Sequence, residues 1–146
     1  MLVTRVEKHV IKRSHSHYDV LDGFLHAAKN LWNHGNYEIR NYYASEGKYL
    51  DYYTLDKVLK GDLEHPDYRR MPSAASAQQT LRLLDKSWKG FFASIKDWKE
   101  HPEKYKGRPK LPKYKPKNGR MVLTFTNQEA RFKDGVIRFP KTLKGF

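Results

Sequence analysis

From Lys104 to Arg120 the chain reads KYKGRPKLPKYKPKNGR, a run holding Lys104, Lys106, Arg108, Lys110, Lys113, Lys115, Lys117 and Arg120 and no acidic residue. Like charges packed this closely repel one another until a polyanion neutralises them, so the chemistry they suit is phosphate binding. Pro109, Pro112 and Pro116 each fix φ and remove a backbone donor, which predicts a stiff, extended arm. Tyr105 and Tyr114 lie between the cations, where unpaired bases could stack on them. Contacts of this kind position a phosphate backbone and carry no sequence information. Arg108 adds a planar fork that can hold two phosphate oxygens or stack on a ring. The plainer reading is a solvated charged linker.

A second group could read bases. Gln78, Gln79 and Arg82 fall together near the N-terminal end of a long helix-patterned segment, and an amide can pair with an adenine edge while a guanidinium pairs with guanine. The alternative is an ordinary polar helix face. Tyr42, Tyr43, Tyr49, Tyr52 and Tyr53 form a tyrosine-rich stretch whose simpler explanation is packing with wet hydroxyls. His9, His15 and His17, with His26 and His34, invite a metal reading, but no carboxylate or thiolate completes a recognised ligand spacing. Asp85 and Asp97 lie on polar helix faces, and no acidic pair reads as an acid/base couple or a two-metal site. No nucleophile signature surrounds any Ser, Lys or Tyr. No catalytic residue, metal or cofactor is therefore expected in this chain.

Composition bounds the rest. The 146 residues suffice for one domain, or two small ones sharing a core. The formal net charge is +13, with pI near 9.8, and it is unevenly placed. Residues 1–70 carry 11 Lys/Arg against 10 Asp/Glu, whereas residues 71–146 carry 18 against 6. A solubility charge would spread over both halves, so the asymmetry points to a binding surface for nucleic acid. The basic arm lacks the amphipathic apolar face of an interfacial helix, and no run of about 18 apolar residues exists, so no membrane partner is expected. The N-terminus has no apolar signal core, and the absence of cysteine fits a reducing compartment, so the expectation is a cytoplasmic protein.

The elements that must hold these residues follow from periodicity. Leu2 to Lys12 alternates imperfectly and reads as a strand. Asp19 to about Asn33 reads as a helix with Leu21, Phe24, Leu25, Ala28, Leu31 and Trp32 on its apolar side, stopped at Gly35. Tyr37 to Ala44 continues as a second helical piece, broken by Gly47. Thr54 is the expected N-cap of a short helix ending at Gly61. The longest helix runs from Ser73 to about Lys99, carrying a heptad stripe of Ala77, Leu81, Leu84, Trp88, Phe91, Ile95 and Trp98. Ser76 with Gln79 offers an alternative start three residues later, and His101-Pro102 ends the helix. All three tryptophans lie on apolar stripes and are expected in the core. Strands are predicted at 121–126, 130–133 and 136–139, with Asp134-Gly135 as a type I′ turn. The order predicts an α+β fold: a small antiparallel sheet or barrel from residues 1–15 and 104–146, with residues 16–103 as a helical insertion and the first strand returning to the last ones.

These segments also carry a resemblance. The stretch SAASAQQTLRLLDKSWKGFFASIKDWKEHPEKYKGRPKLPKYKPKNGR, followed by LTFTNQ and KDGVIRFPK, resembles the N-terminal half of the TnpB (OrfB) proteins of insertion sequences. HSHYDVLDGFLHAAKNLWNHGNYEIRNYY and YLDYYTLDKVLKG resemble that family's first helices, so the likeness covers essentially the whole chain. The family consists of RNA-guided DNA endonucleases. The resemblance implies a wedge β-barrel with a helical recognition insertion, a guide RNA held by Arg5 and the arm (Lys104, Lys106, Arg108, Lys110, Lys113, Tyr114, Lys115, Lys117 and Arg120), and duplex target DNA read beside its target. Tyr52, Ala75, Gln78, Gln79, Arg82 and Thr126 fall at the matching DNA-reading positions. In that family a downstream RuvC-like domain binds two metal ions through three acidic residues, and four cysteines form a zinc ribbon. The sequence reaches Phe146 before either feature, so a separate nuclease half or a second copy is an expected partner. The alternative expectation is a stand-alone DNA-binding regulator derived from a transposon.

Overall fold

The helix that begins at Tyr18 does not stop at Gly35. In a computed structural model of the chain, which describes residues 2–143, it runs unbroken as α1 (Tyr18–Glu46), 29 residues long. Gly35 serves a different purpose from a C-cap: a Cβ built there would meet Leu84 Cδ2 at 2.7 Å and Leu81 Cδ2 at 3.2 Å. The glycine lets α1 lie close against α3 (Ala74–Glu100), and packing outweighs its weak helix propensity. The actual stop is Gly47, at φ 65°, whose N–H bonds the Tyr43 carbonyl at 2.9 Å.

Between them lies α2 (Tyr52–Gly61). Its N-cap is Asp51, one residue before the first helical position, and Thr54 is the residue that donates to it, through both N–H and Oγ1. That reverses the expected roles, since Thr54 stands inside the first turn, where its N–H is the orphan being satisfied. The long helix starts at the earlier of its two candidate positions. Ser73 and Ser76 exchange side-chain and backbone hydrogen bonds as a reciprocal capping box, with Ser76 taking the part usually held by Glu or Gln. Its end at His101 is as expected.

The core sits where the three helices meet. Ala77, Leu81, Leu84, Trp88 and Phe91 of α3 are buried against Ala28, Leu31, Trp32 and Ile39 of α1 and Leu55 and Leu59 of α2. The stripe leaves the core in its last two turns, where Ile95 and Trp98 are half-buried. An aromatic cluster fills the open end of the helix pair: Tyr43, Tyr49, Trp88, Phe91 and Phe92 meet with ring centroids 5.3–6.1 Å apart.

The β content is smaller than the alternation suggests. β1 (Arg131–Lys133) and β2 (Val136–Arg138) pair antiparallel in register Phe132↔Ile137, around Asp134 and Gly135 at φ 53° and 76°. Positive φ at both central positions is what a type I′ turn requires, so the Asp-Gly signal located this hairpin correctly. Two other expected strands are absent. Leu2–Lys12 is exposed and pairs with no strand, and 121–126 joins no ladder. An alternating segment becomes a strand only beside a partner edge, and a hairpin with three-residue arms offers little edge. Met121 instead is buried and donates its N–H to the Leu25 carbonyl of α1 at 3.2 Å. Among the described residues the fold is thus α+β, with three helices and one two-stranded sheet that does not close into a barrel. Met1 and residues 144–146 of the expected β domain lie outside the described residues.

Candidate nucleic-acid interface

After α3 a 3-10 turn (Pro102–Lys104) redirects the chain, and the arm then runs antiparallel along α1. A ladder of α1 side chains holds it. Arg40 Nη2 and Asn36 Nδ2 donate to the Pro112 carbonyl at 2.5 and 3.0 Å, Trp32 Nε1 to Lys113 O at 3.5 Å, Asn33 Nδ2 to Lys115 O at 3.0 Å, and Lys29 Nζ to Lys117 O at 2.6 Å. Asn33 also accepts the Lys115 N–H at 2.8 Å. Residues 29, 33, 36 and 40 recur at helical spacing, so all four stand on one face. The arm is bound almost wholly through carbonyls. Its prolines have no N–H to satisfy, and gripping acceptors leaves the side chains of Lys106, Arg108, Lys110, Lys113 and Lys117 outside the ladder.

Asn36 is the pivot of this arrangement. It is fully buried, donates to the arm and accepts the Trp88 Nε1–H from α3 at 3.0 Å, so one amide joins α1, α3 and the arm. A buried amide with both ends paired is stable, and loss of either partner leaves a buried polar group unpaired.

The arm's cations divide into two sets. Lys104 and Arg120 are neutralised by carboxylates of α3 and α1. Lys104 Nζ lies 3.8 Å from Asp97, and Arg120 grips Asp22 through two guanidinium nitrogens. The Arg120 guanidinium holds the Asp22 carboxyl below its usual range, and the Tyr105 hydroxyl bonded at 2.6 Å does the same for Asp97. Lys106, Arg108, Lys110, Lys113 and Lys117 are exposed and make no ion pair among the described residues, while Lys115 lies over the Trp32 ring at 4.6 Å. Of the interleaved aromatics, Tyr105 is occupied with Asp97, and Tyr114 is exposed on one side with Arg40 stacked 4.7 Å from its centroid. Arg5 stands on the exposed N-terminal segment.

The other expected group assembles only in part. Ala75, Gln78, Gln79 and Arg82 share the first turns of α3, with Arg82 exposed and the others half-buried. Tyr52 joins them from α2, but its ring is buried and the Arg82 guanidinium lies 4.3 Å from its centroid, so that face is already covered. Burial is also the main cause that raises the Tyr52 hydroxyl above its ordinary pKa. Thr126 sits in the turn before β1, accepting backbone N–H groups from Glu129 and Ala130, and shares no hydrogen bond with the α3 start.

Sequence reasoning missed Lys29, Asn33, Asn36 and Arg40. A signal existed, because these polar residues recur beside the apolar stripe of α1, and Lys29 and Asn36 are buried. A second cluster was missed as well: His34 on α1 lies 3.1 Å from Asp67 and 3.4 Å from Asp62 in the loop between α2 and α3, and 4.0 Å from Glu38. Asp67 first, then the other carboxylates, raise the His34 pKa against the opposing effect of burial. No group of three or more His, Asp or Glu is arranged to hold a metal ion among the described residues. No helix there is long and apolar enough to cross a membrane.

In comparisons with known proteins, no family model, no curated protein and no solved structure matches this chain.

Proposed function

We propose that this chain is a nucleic-acid-binding module of the TnpB type, holding a structured guide RNA along the docked arm and reading a short duplex DNA motif with the start of α3. The observation that carries the reading is the arm itself: five exposed, unpaired cations on a strip fixed by its carbonyls to α1. A strip already ordered in the free protein loses less conformational freedom on binding than a loose tail does. Arg82, with Gln78 and Gln79 beside it, supplies the base-edge donors for the DNA motif.

In this reading the β-prone segments Leu2–Lys12 and 121–126 and the exposed hairpin complete a wedge-like barrel on assembly. Leu2, Val6, Val10, Val122, Phe132 and Val136 are all well exposed, which leaves apolar surface for such pairing. The nuclease step belongs to a further domain or partner, with its own divalent metals and zinc.

The test is a binding assay with RNA transcribed from the DNA flanking the encoding gene, with heparin as competitor. The reading expects the structured RNA to outcompete heparin at equal charge, and a duplex carrying the adjacent motif to bind more tightly once that RNA is present. Tight binding of the element's own duplex ends without any RNA would overturn the guide reading in favour of a DNA-binding regulator.

A further inference from the structure

Beside the docked arm lies a cleft of about 500 Å³, within the roughly 300–1,000 Å³ typical of ligand sites. Arg40 and Tyr43 of α1, Phe91 of α3, and Arg108, Lys110 and Lys113 of the arm line it. A second hollow of about 380 Å³ shares Phe91, Lys110 and Lys113 and extends the groove past Trp32. Neither hollow has an acidic lining residue.

Two features set this groove apart from a generic cationic surface. Its floor is aromatic: Phe91 and Tyr43 belong to the ring cluster of the core, so the apolar wall is fixed by packing. Arg40, moreover, is only partly used. One terminal nitrogen is committed to the Pro112 carbonyl and the guanidinium stacks on Tyr114, which fixes its plane, yet its Nε is buried without a hydrogen-bond acceptor. A buried donor without a partner carries a free-energy cost that a ligand acceptor relieves.

A duplex backbone presents phosphates on a convex surface and needs cations alone. A concave site with a ring-lined floor, a cationic rim and a spare donor suits a group with a flat apolar part and an attached anion. We infer that this groove is a subsite for an unpaired nucleotide of single-stranded RNA: the base enters against Tyr43 and Phe91, the flanking phosphates lie on Arg108, Lys110 and Lys113, and Arg40 donates through Nε to a base or sugar acceptor. The inference rests on the RNA-binding reading and deepens it by locating where a base leaves the stack.

The experiment compares hexaadenylate RNA with a six-unit abasic ribose-phosphate strand of equal charge, using the full chain. Affinity is read by fluorescence anisotropy, and the resonances of the Arg40 Nε–H and the Tyr43 ring are followed by NMR. Hexaadenylate is expected to bind at least about tenfold more tightly than the abasic strand, because each stacked base contributes measurably, and to shift both resonances saturably. Arg40→Lys, which keeps the charge and removes Nε, is expected to abolish most of that preference. Arg108→Ala, at an exposed position with no carboxylate partner, should weaken both strands and leave the fold intact. Equal affinity for the two strands, or unmoved Arg40 and Tyr43 signals at saturation, would overturn the subsite. Tighter binding of hexadeoxyadenylate than of its RNA counterpart would overturn the assignment to RNA. If the subsite fails while structured RNA still binds, the inference alone falls; if structured RNA fails too, the parent reading falls with it.

Discussion

Two side chains of α1 do more than their neighbours to hold distant segments in place. Asn36 joins Trp88 to the arm, so Asn36→Ala leaves the Trp88 N–H unpaired in the interior, while the Pro112 carbonyl keeps its bond from Arg40. The expected cost is about 1–3 kcal/mol, measured as a shift in the urea unfolding midpoint. A double-mutant cycle with Trp88→Phe should return a non-additive coupling, because the two changes remove the same bond. His34 ties α1 to the loop before α3 through Asp62 and Asp67, with Glu38 and His65 also facing that region. Its pKa is raised above the unfolded value of about 6.5. The protonated ring therefore contributes stability that is fully present below that value and is lost as pH rises through the raised folded pKa. Unfolding midpoints should fall across that window, and His34→Gln should flatten the fall. An equally steep decline in the variant would assign it to another group.

At the scale of elements, the contrast between Gly35 and Gly90 tests how α1 meets α3. Gly90 is exposed in α3 with nothing within 4 Å of a built Cβ, so Gly90→Ala should stabilise the protein by about 1 kcal/mol through helix propensity. Gly35→Ala makes the same propensity gain but drives a methyl into Leu84 and Leu81, both fully buried. Overpacking of roughly 1–3 kcal/mol should reverse the sign, and thermal unfolding of both variants decides it. The same pair explains what the sequence made readable. The heptad stripe of α3, its end at His101 and the Asp134-Gly135 turn all depend on neighbours a few residues away, and local pattern located each of them, while for the helix start it left Ser73 and Ser76 as alternatives. Gly35 depends on two leucines nearly fifty positions later, so pattern alone read it as a stop. The segments Leu2–Lys12 and 121–126 failed for a related reason: strand identity is conferred by a partner edge, which alternation does not reveal. Likewise the cations of the arm were visible as a run, whereas the carboxylates that neutralise Lys104 and Arg120 come from α3 and α1.

Across the whole molecule, the excess charge of the second half is held at the surface by a helix drawn from the nearly neutral first half. The α1 ladder takes up the arm's carbonyls and leaves Lys106, Arg108, Lys110, Lys113 and Lys117 free to meet phosphate. Counting only those five, the slope of log affinity against log salt should be about −3.5 for a single strand and about −4.5 for a duplex. Replacing all five with alanine touches no hydrogen bond of the ladder, which runs through backbone atoms, so the variant should fold normally. The most direct measurement is therefore the salt dependence of structured RNA binding by the parent chain and this five-alanine variant. A steep slope in the parent that shrinks by most of its value in the variant is the predicted result. A slope unchanged by the five substitutions would contradict the account, because the phosphates would then lie on a different surface.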